Sequence, residues 1–290
     1  MTAQELKNSI LQLAIQGKLV KQDPNDEPAS VLLEEIKEER EKLIKEKKIK
    51  REKYSEIYKN SSDNHYYEKL EDGTINDITE EIPFEIPESW CWTRLGNICT
   101  LAFSGKSPKY SKITNNNLVL GQKNNQDYGL DLNGIKYCTD EFIKDYPKEL
   151  YLKKNDVLLN TLGSGTVGRS GIFSLEDDKY ITDGHLFVFR SINEVISSYI
   201  LYYLKLNRNT IEKNADGSTN QIFLKLYNVK KYLVPLPPLK EQKRIKNKMD
   251  MLKPIINLYN TKYNEIELLN SSYKEKLKKS ILQYAIQGKL

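Results

Sequence analysis

The chain has 290 residues, 45 basic and 40 acidic, a net charge of +5, and 10% aromatic residues, 19 of them tyrosine. This composition suits a packed core carrying long charged helices. No stretch approaches the ~20 apolar residues of a membrane span, and the N-terminus lacks a signal-peptide pattern, so a cytoplasmic chain with no membrane partner is expected. Cys91, Cys99 and Cys138 have no CxxC spacing, and His65 and His185 stand far apart in sequence. They give no basis for a disulfide frame, a metal site or a Ser-His nucleophile.

Thr2-Ala-Gln-Glu5 is a capping box for a first helix, with Leu6, Ile10, Leu13 and Ala14 on one face and Gly17 as its C-cap. The turn-rich Lys21–Pro28 follows, with Pro28 placed to open a second helix from Ser30 to about Lys53. These helices define an N-terminal region, 1–60. The polar, acidic stretch 61–81 reads as a linker. From Ile82 to Pro238 the texture changes to short apolar runs (LVLG at 118–121, VLLNTL at 157–162, LFVF at 186–189) punctuated by Gly and Asn turns, with a helix near Ser197–Asn207. That is a β-rich domain, 82–238.

After Pro238 a 4-3 spacing sets in and runs to position 284. Ile245, Met249, Leu252, Ile256, Tyr259, Tyr263 and Ile266 occupy its first seven positions. A coiled-coil seam for a homodimer is expected over 239–290, with an amphipathic helix packed on its own domain as the competing reading. Pro254 is expected to bend this helix and Asn270-Ser-Ser272 to break it, leaving 274–286 as a separate short helix. The fold class is α+β: one β-rich recognition domain flanked by N-terminal helices and a long C-terminal coiled-coil helix.

Charge is unevenly placed. Residues 61–100 carry two basic and nine acidic side chains, whereas 239–290 carry twelve basic and five acidic. A basic helix beside a mildly basic globule suits nucleic acid or an acidic protein.

Gly163-Ser-Gly165-Thr-Val-Gly168 fits GxGxxG after a strand-like run, with Asp183 twenty residues on. A dinucleotide site needs a helix directly after the glycines. Arg169-Ser-Gly-Ile-Phe predicts a hairpin instead, in which backbone N–H groups, Ser164, Thr166 and Arg169 face phosphates of a larger ligand. Other loops offer nucleic-acid chemistry. Lys106, Lys109, Tyr110 and Lys112 lie on one turn. Lys123, Asn124, Asn125 and Gln126 are of the types that pair with base edges. Ser218, Thr219, Asn220 and Gln221 suit phosphate. No methyltransferase, Walker or nuclease signature is present, which points to a binding protein without catalytic residues.

LKNSILQLAIQGKL at 6–19 recurs as LKKSILQYAIQGKL at 277–290, identical at twelve of fourteen positions and offset by 271. The chain therefore reads as one period of a longer tandem design that self-pairing would complete. With KLVKQDPNDEPASVLLEEI at 18–36, EIPESWCWTRLGNI at 85–98, NDVLLNTLGSGTVGRSGIF at 155–173, the 217–221 loop and PLPPLKEQKRI at 235–245, it resembles the specificity (S) subunits of type I restriction-modification systems. Those carry two recognition domains; this chain resembles a half-length form with one.

The resemblance implies a non-catalytic subunit in which the recognition domain reads one half of a bipartite DNA target. It also implies helices that dock methyltransferase (M) subunits and, through them, restriction (R) subunits. S-adenosylmethionine, ATP and magnesium would belong to those partners, and none to this chain. The repeated peptides assign the M-subunit contact to Leu6, Ile10, Leu13, Leu277, Ile281 and Tyr284. The alternatives are an S-adenosylmethionine- or dinucleotide-dependent enzyme using the Gly163–Gly168 loop, or a scaffold that does not read DNA.

Overall fold

The structure is a computed structural model and describes residues 1–176, 179–217 and 222–289. Helix α1 (Ala3–Ile15) begins with the expected capping box: Thr2 Oγ1 accepts from the Glu5 N–H and the Glu5 carboxylate from the Thr2 N–H. Helix α2 (Ala29–Lys45) opens after Pro28 but stops eight residues short of expectation. Lys47 takes a positive φ of 57°, and the Lys48 N–H returns to Leu43 O, which caps the helix before the charged run ends.

The expected linker is structured. Strands β1 (Ser55–Lys59), β2 (Tyr66–Leu70) and β3 (Ile75–Asp77) form an antiparallel sheet spanning most of 61–81. Its acidic composition hid a small core of Tyr66, Ile78 and Trp92. It also hid a clamp in which Arg94, on strand β4 (Cys91–Arg94), grips both oxygens of Glu68 at 2.6 and 3.0 Å.

The central region holds β5 (Leu101–Ser104), β6 (Tyr110–Ser111), β7 (Leu118–Leu120), the hairpin β8 (Asn125–Gln126) and β9 (Gly129–Leu130), β10 (Lys136–Cys138), α3 (Asp140–Lys144), β11 (Val157–Asn160), β12 (Ser170–Ile172), β13 (Tyr180–Thr182) and β14 (Leu186–Arg190). Two four-stranded sheets result, β12-β11-β14-β5 and β13-β7-β10-β6, the latter with β13 and β7 parallel. Every residue of β11 is buried: Val157 and Leu159 face the main core, and Leu158 faces a second core with Phe103, Leu120 and Phe173. Covering on both faces explains why this strand reads as a continuous apolar run.

Helices α4 (Glu194–Leu206), α5 (Arg208–Lys213) and α6 (Leu226–Lys230) and strand β15 (Leu233–Leu236), paired with β4, lead into α7 (Leu239–Ile286). Asn193 caps α4, its Oδ1 accepting from the Val195 and Ile196 N–H groups at 3.0 Å. Asn193→Ala is expected to cost about 1 kcal/mol, read as a lowered urea midpoint at unchanged m.

Leu11, Ala14 and Ile15 of α1, Ile200 and Leu204 of α4, and Ile245 and Met249 of α7 share the main core. A polar knot joins the same elements. Glu241 accepts from Trp90 Nε1 at 2.8 Å and from Gln22 Nε2 at 2.6 Å, while Arg244 meets Asp26 at 2.5 Å. Burial pushes the Glu241 carboxyl up, and those two N–H donors oppose it.

Helix α7 is one helix of 48 residues, about 72 Å long at 1.5 Å per residue. The expected break at Asn270–Ser272 does not occur. Ser271 and Ser272 donate their hydroxyls to the carbonyls of Leu268 and Leu269, an arrangement that lets the helix continue. The helix also runs through Pro254.

The expected dimer seam is corrected at its start. Ile245 and Met249 belong to the chain's own core, and Leu252, Ile256 and Tyr263 are half-buried. The Tyr259 hydroxyl donates to Met1 O at the start of α1. Met251, Ile255 and Leu258 are exposed before it, and from Ile266 onward the helix presents an open apolar stripe through Leu269, Tyr273, Leu277, Ile281 and Tyr284.

Candidate nucleic-acid interface

Two of the loops picked out by sequence meet at Asp183. The β5–β6 turn approaches through Gly105, where a Cβ would stand 2.0 Å from Asp183 O. The β7–β8 turn approaches through Gly121, where a Cβ would stand 2.7 Å from Asp183 Oδ2. Asp183 accepts from the His185 N–H, and burial raises its carboxyl pKa. It lies packed between the two turns.

On the first turn Lys106, Lys109, Tyr110 and Lys112 are all exposed. Lys109 pairs with Glu141 at 3.0 Å, with both side chains open to solvent, where such a pair is worth little. Tyr110 lies under the Lys136 ammonium at 4.3 Å. Lys106 stands 5.5 Å from the Tyr146 ring.

The second turn corrects the base-reading assignment. Asn124 and Asn125 are 1% and 0% exposed. Asn124 closes its own turn, accepting from the Gly121 N–H and donating to Asp131 O. Asn125 donates to Asn160 Oδ1 and Arg169 O, bracing β8 against β11. Amides used this way are scaffold, and their sequence type gave no hint of it. Lys123 is exposed and Gln126 half-exposed, so these two remain on the surface.

Gln126 is aimed by its neighbours: it donates to Lys123 O and accepts from Arg169 Nη1 at 2.7 Å. Asp127 then holds Arg169 at 3.5 Å and Arg208 at 3.1 Å. Asp127 and Arg208 escaped the sequence reading because Arg208 lies beyond α4, 81 residues along the chain.

The Gly163–Gly168 loop makes the expected hairpin between β11 and β12, with no helix after the glycines. It does not form the expected backbone cradle. The Gly163 N–H goes to Ile222 O, those of Thr166 and Val167 to Gly163 O, that of Gly168 to Asn160 O and that of Arg169 to Thr166 O. The Gly165 N–H meets the Glu212 carboxylate, and Thr166 Oγ1 donates to Leu162 O and Gly163 O. Ser164 is exposed on this loop, whereas the Arg169 side chain is largely covered and turned onto Gln126 and Asp127. Gly168, at φ 77°, leaves room for Arg208, whose Cγ would stand 3.2 Å from a Cβ. Ser218, Thr219, Asn220 and Gln221 lie outside the described residues.

The expected docking faces of the repeated peptides also separate. In α1, Ile10 packs against the core, Leu6 is half-buried and Leu13 is exposed, whereas Leu277, Ile281 and Tyr284 are all exposed.

Among the described residues no His/Cys/Asp/Glu group is placed to hold a metal, and no helix is long and apolar enough to cross a membrane. Residues 87–268 match the family model described as the type I restriction modification DNA specificity domain. The chain is 32% identical over 255 residues to the type I restriction enzyme EcoAI specificity subunit of Escherichia coli, covering 85% of this chain and 39% of that protein. It is 30% identical over 218 residues to the MjaVIII specificity subunit of Methanocaldococcus jannaschii, covering 71% and 47%. The chain thus spans less than half the length of these relatives.

Two solved structures share the fold. One is a chain from a study of complex assembly and conformational transition of the type I R-M system (TM-score 0.52, 21% identity, 72% of this chain and 48% of that one). The other is the HsdS subunit from Thermoanaerobacter tengcongensis (TM-score 0.50, 22% identity, 72% and 47%). The chain belongs to the type I restriction-modification specificity family.

Proposed function

We propose that the chain is the DNA-reading subunit of a type I restriction-modification complex. It binds double-stranded DNA through the loops that meet around Asp183 and Asp127, reads one half of a bipartite target, and pairs with a second copy to read the other half. It docks M subunits, and R subunits through them. S-adenosylmethionine, ATP and magnesium belong to those partners and the chemistry is theirs.

The observation that carries this reading is the polar side chains on the turns of the family-matching region: exposed Lys106, Lys109, Lys112 and Lys123 on two turns that both pack against Asp183, with Gln126 held by Arg169. Phosphates are met by the lysines. Base readout falls to Gln126, with Lys123 beside it, now that Asn124 and Asn125 are placed inside.

The test is the motif methylated when DNA is exposed to this chain with its M subunit. The expected result is a bipartite palindrome with an undefined spacer. Gln126→Ala is expected to relax one specified base, at about 1–3 kcal/mol of discrimination. Lys112→Ala should weaken binding to all sequences and lower the salt slope by about one. A Gln126→Ala chain that methylates the unchanged motif with unchanged stringency removes Gln126 from the readout. A complex that assembles with M but shifts no duplex in a gel would make the chain a scaffold.

A further inference from the structure

The buried face of α2 runs through Ala29, Leu32 and Ile36 at helical spacing and then ends on a charge, Arg40. Arg40 is 7% exposed, and its Nη1 is buried without a hydrogen-bond partner. Among the described residues no carboxylate pairs with it. A guanidinium stays charged at any working pH, so burying one without an acceptor costs free energy. What compensation there is comes from the Tyr54 ring, 5.9 Å from Arg40 Cζ and shared with the Lys37 ammonium at 5.5 Å. A ring face attracts the charge without replacing the acceptors that guanidinium N–H groups require.

Arg40 borders a cavity of about 830 Å³ where α2, the three-stranded sheet and α6 meet. That volume is of the size that holds small molecules. Three carboxylates line it, and each is already engaged: Glu68 and Glu81 by Arg94, and Glu52 by Lys230. Three further cations on the wall, Arg40, Lys53 and Lys231, have no carboxylate partner among the described residues. Lys53 lies just before β1 and Lys231 just after α6, so the fold brings together charges from three separate segments. Tyr54, Tyr227 and Tyr232 supply aromatic wall. Lys53 and Lys231 are exposed and water serves them. Arg40 has no such recourse.

We propose that this cavity binds a nucleoside monophosphate, its phosphate held by Arg40, Lys53 and Lys231 and its base set against the tyrosine rings. A phosphate monoester carries roughly −1.5 to −2 charge near pH 7 and three acceptor oxygens. That matches three cations better than the single charge of a carboxylate. Guanidinium suits it further, because charge-assisted N–H bonds to phosphate are among the strong ones. The rings add a surface on which any base can stack. None of the side chains assigned to DNA lines this cavity, so the inference does not rest on the DNA-reading proposal.

The test titrates the full chain with AMP at fixed ionic strength. Saturable binding of one AMP per chain is expected, with a thermal midpoint that rises with AMP concentration. Inorganic phosphate should bind more weakly than AMP, and adenosine more weakly still. Arg40→Met keeps an unbranched stem and removes the charge. It should abolish the AMP-dependent rise, while its midpoint without ligand equals or exceeds that of the wild type, since an uncompensated buried charge is gone. Lys53→Gln and Lys231→Gln change exposed residues. Each should weaken AMP about tenfold or more with the ligand-free midpoint unchanged, which keeps the test decisive even where Arg40→Met fails to fold.

A wild-type chain that binds no AMP overturns the proposal. So does AMP binding that all three variants retain, which would put the nucleotide elsewhere. Inorganic phosphate that binds as tightly as AMP strikes out the base and the aromatic wall. Displacement of AMP by duplex DNA would give the cavity to a backbone phosphate and overturn the small-molecule assignment. The methylated motif tests DNA reading separately, so either proposal can fail alone.

Discussion

Leu11→Ala is expected to lower the stability of the chain by about 2–5 kcal/mol, while Leu282→Ala stays within about 0.5 kcal/mol. The two leucines hold the same place in the repeated peptide. Leu11 is 1% exposed, inside the core with Ala14 and Ile15, so its loss leaves a cavity among side chains of α4 and α7. Leu282 is 61% exposed and its neighbour Ile286 86% exposed. Urea unfolding of both variants at low protein concentration makes the comparison. Equal losses would mean that the second copy is buried by the chain itself, against the structure. The opposite ranking is expected for association: Leu282→Ala should weaken self-pairing or M-subunit binding, seen as faster dissociation in sedimentation. Removing residues 1–19 cannot probe docking cleanly, because it also removes part of the main core.

Much of this fold was legible because local signals and tertiary demands agreed. The Thr2–Glu5 capping box, the helix expected near 197–207 (found from Glu194), the apolar run of β11 and the hairpin after the Gly163 loop each follow from residue type and spacing. The motifs that carried the family resemblance are mostly scaffold: Trp90, Gln22, Asp26, Glu241 and Arg244 form a buried knot that holds the N-terminal segment to α7. The three-stranded sheet was missed because its short, acidic strands bury only one thin face, on Trp92. At the interface, exposure decided the outcome. Asn125 and Gln126 are adjacent and chemically alike, yet one braces β8 from inside and the other reaches the surface. Period-2 alternation in a two-residue strand is too short to reveal which is which. Arg208 joins Asp127 only through the packing of α5, which spacing along the chain does not encode.

Inserting one heptad into α7 after Ile266 is expected to lengthen the spacer of the methylated target by about three base pairs while leaving the specified bases unchanged. The insertion belongs there because the first part of the helix is keyed to its own core through Ile245 and Met249 and to α1 through Tyr259. Beyond Met249 about 37 residues remain before the helix ends at Ile286, or ~56 Å at 1.5 Å per residue.

Two such helices paired antiparallel over that length hold two recognition domains more than one DNA turn apart, ~34–36 Å. In the same arrangement the C-terminal peptide of one chain lies beside α1 of the other, so both copies of the repeat share one environment. Its exposed Leu277, Ile281, Leu282 and Ile286 would then be covered. Seven residues keep the apolar stripe in phase and add ~10 Å. Inserting four residues instead rotates the stripe by ~40° and should weaken pairing. A chain that remains monomeric at every concentration, or an insertion that leaves the spacer unchanged, would remove the helix as the ruler.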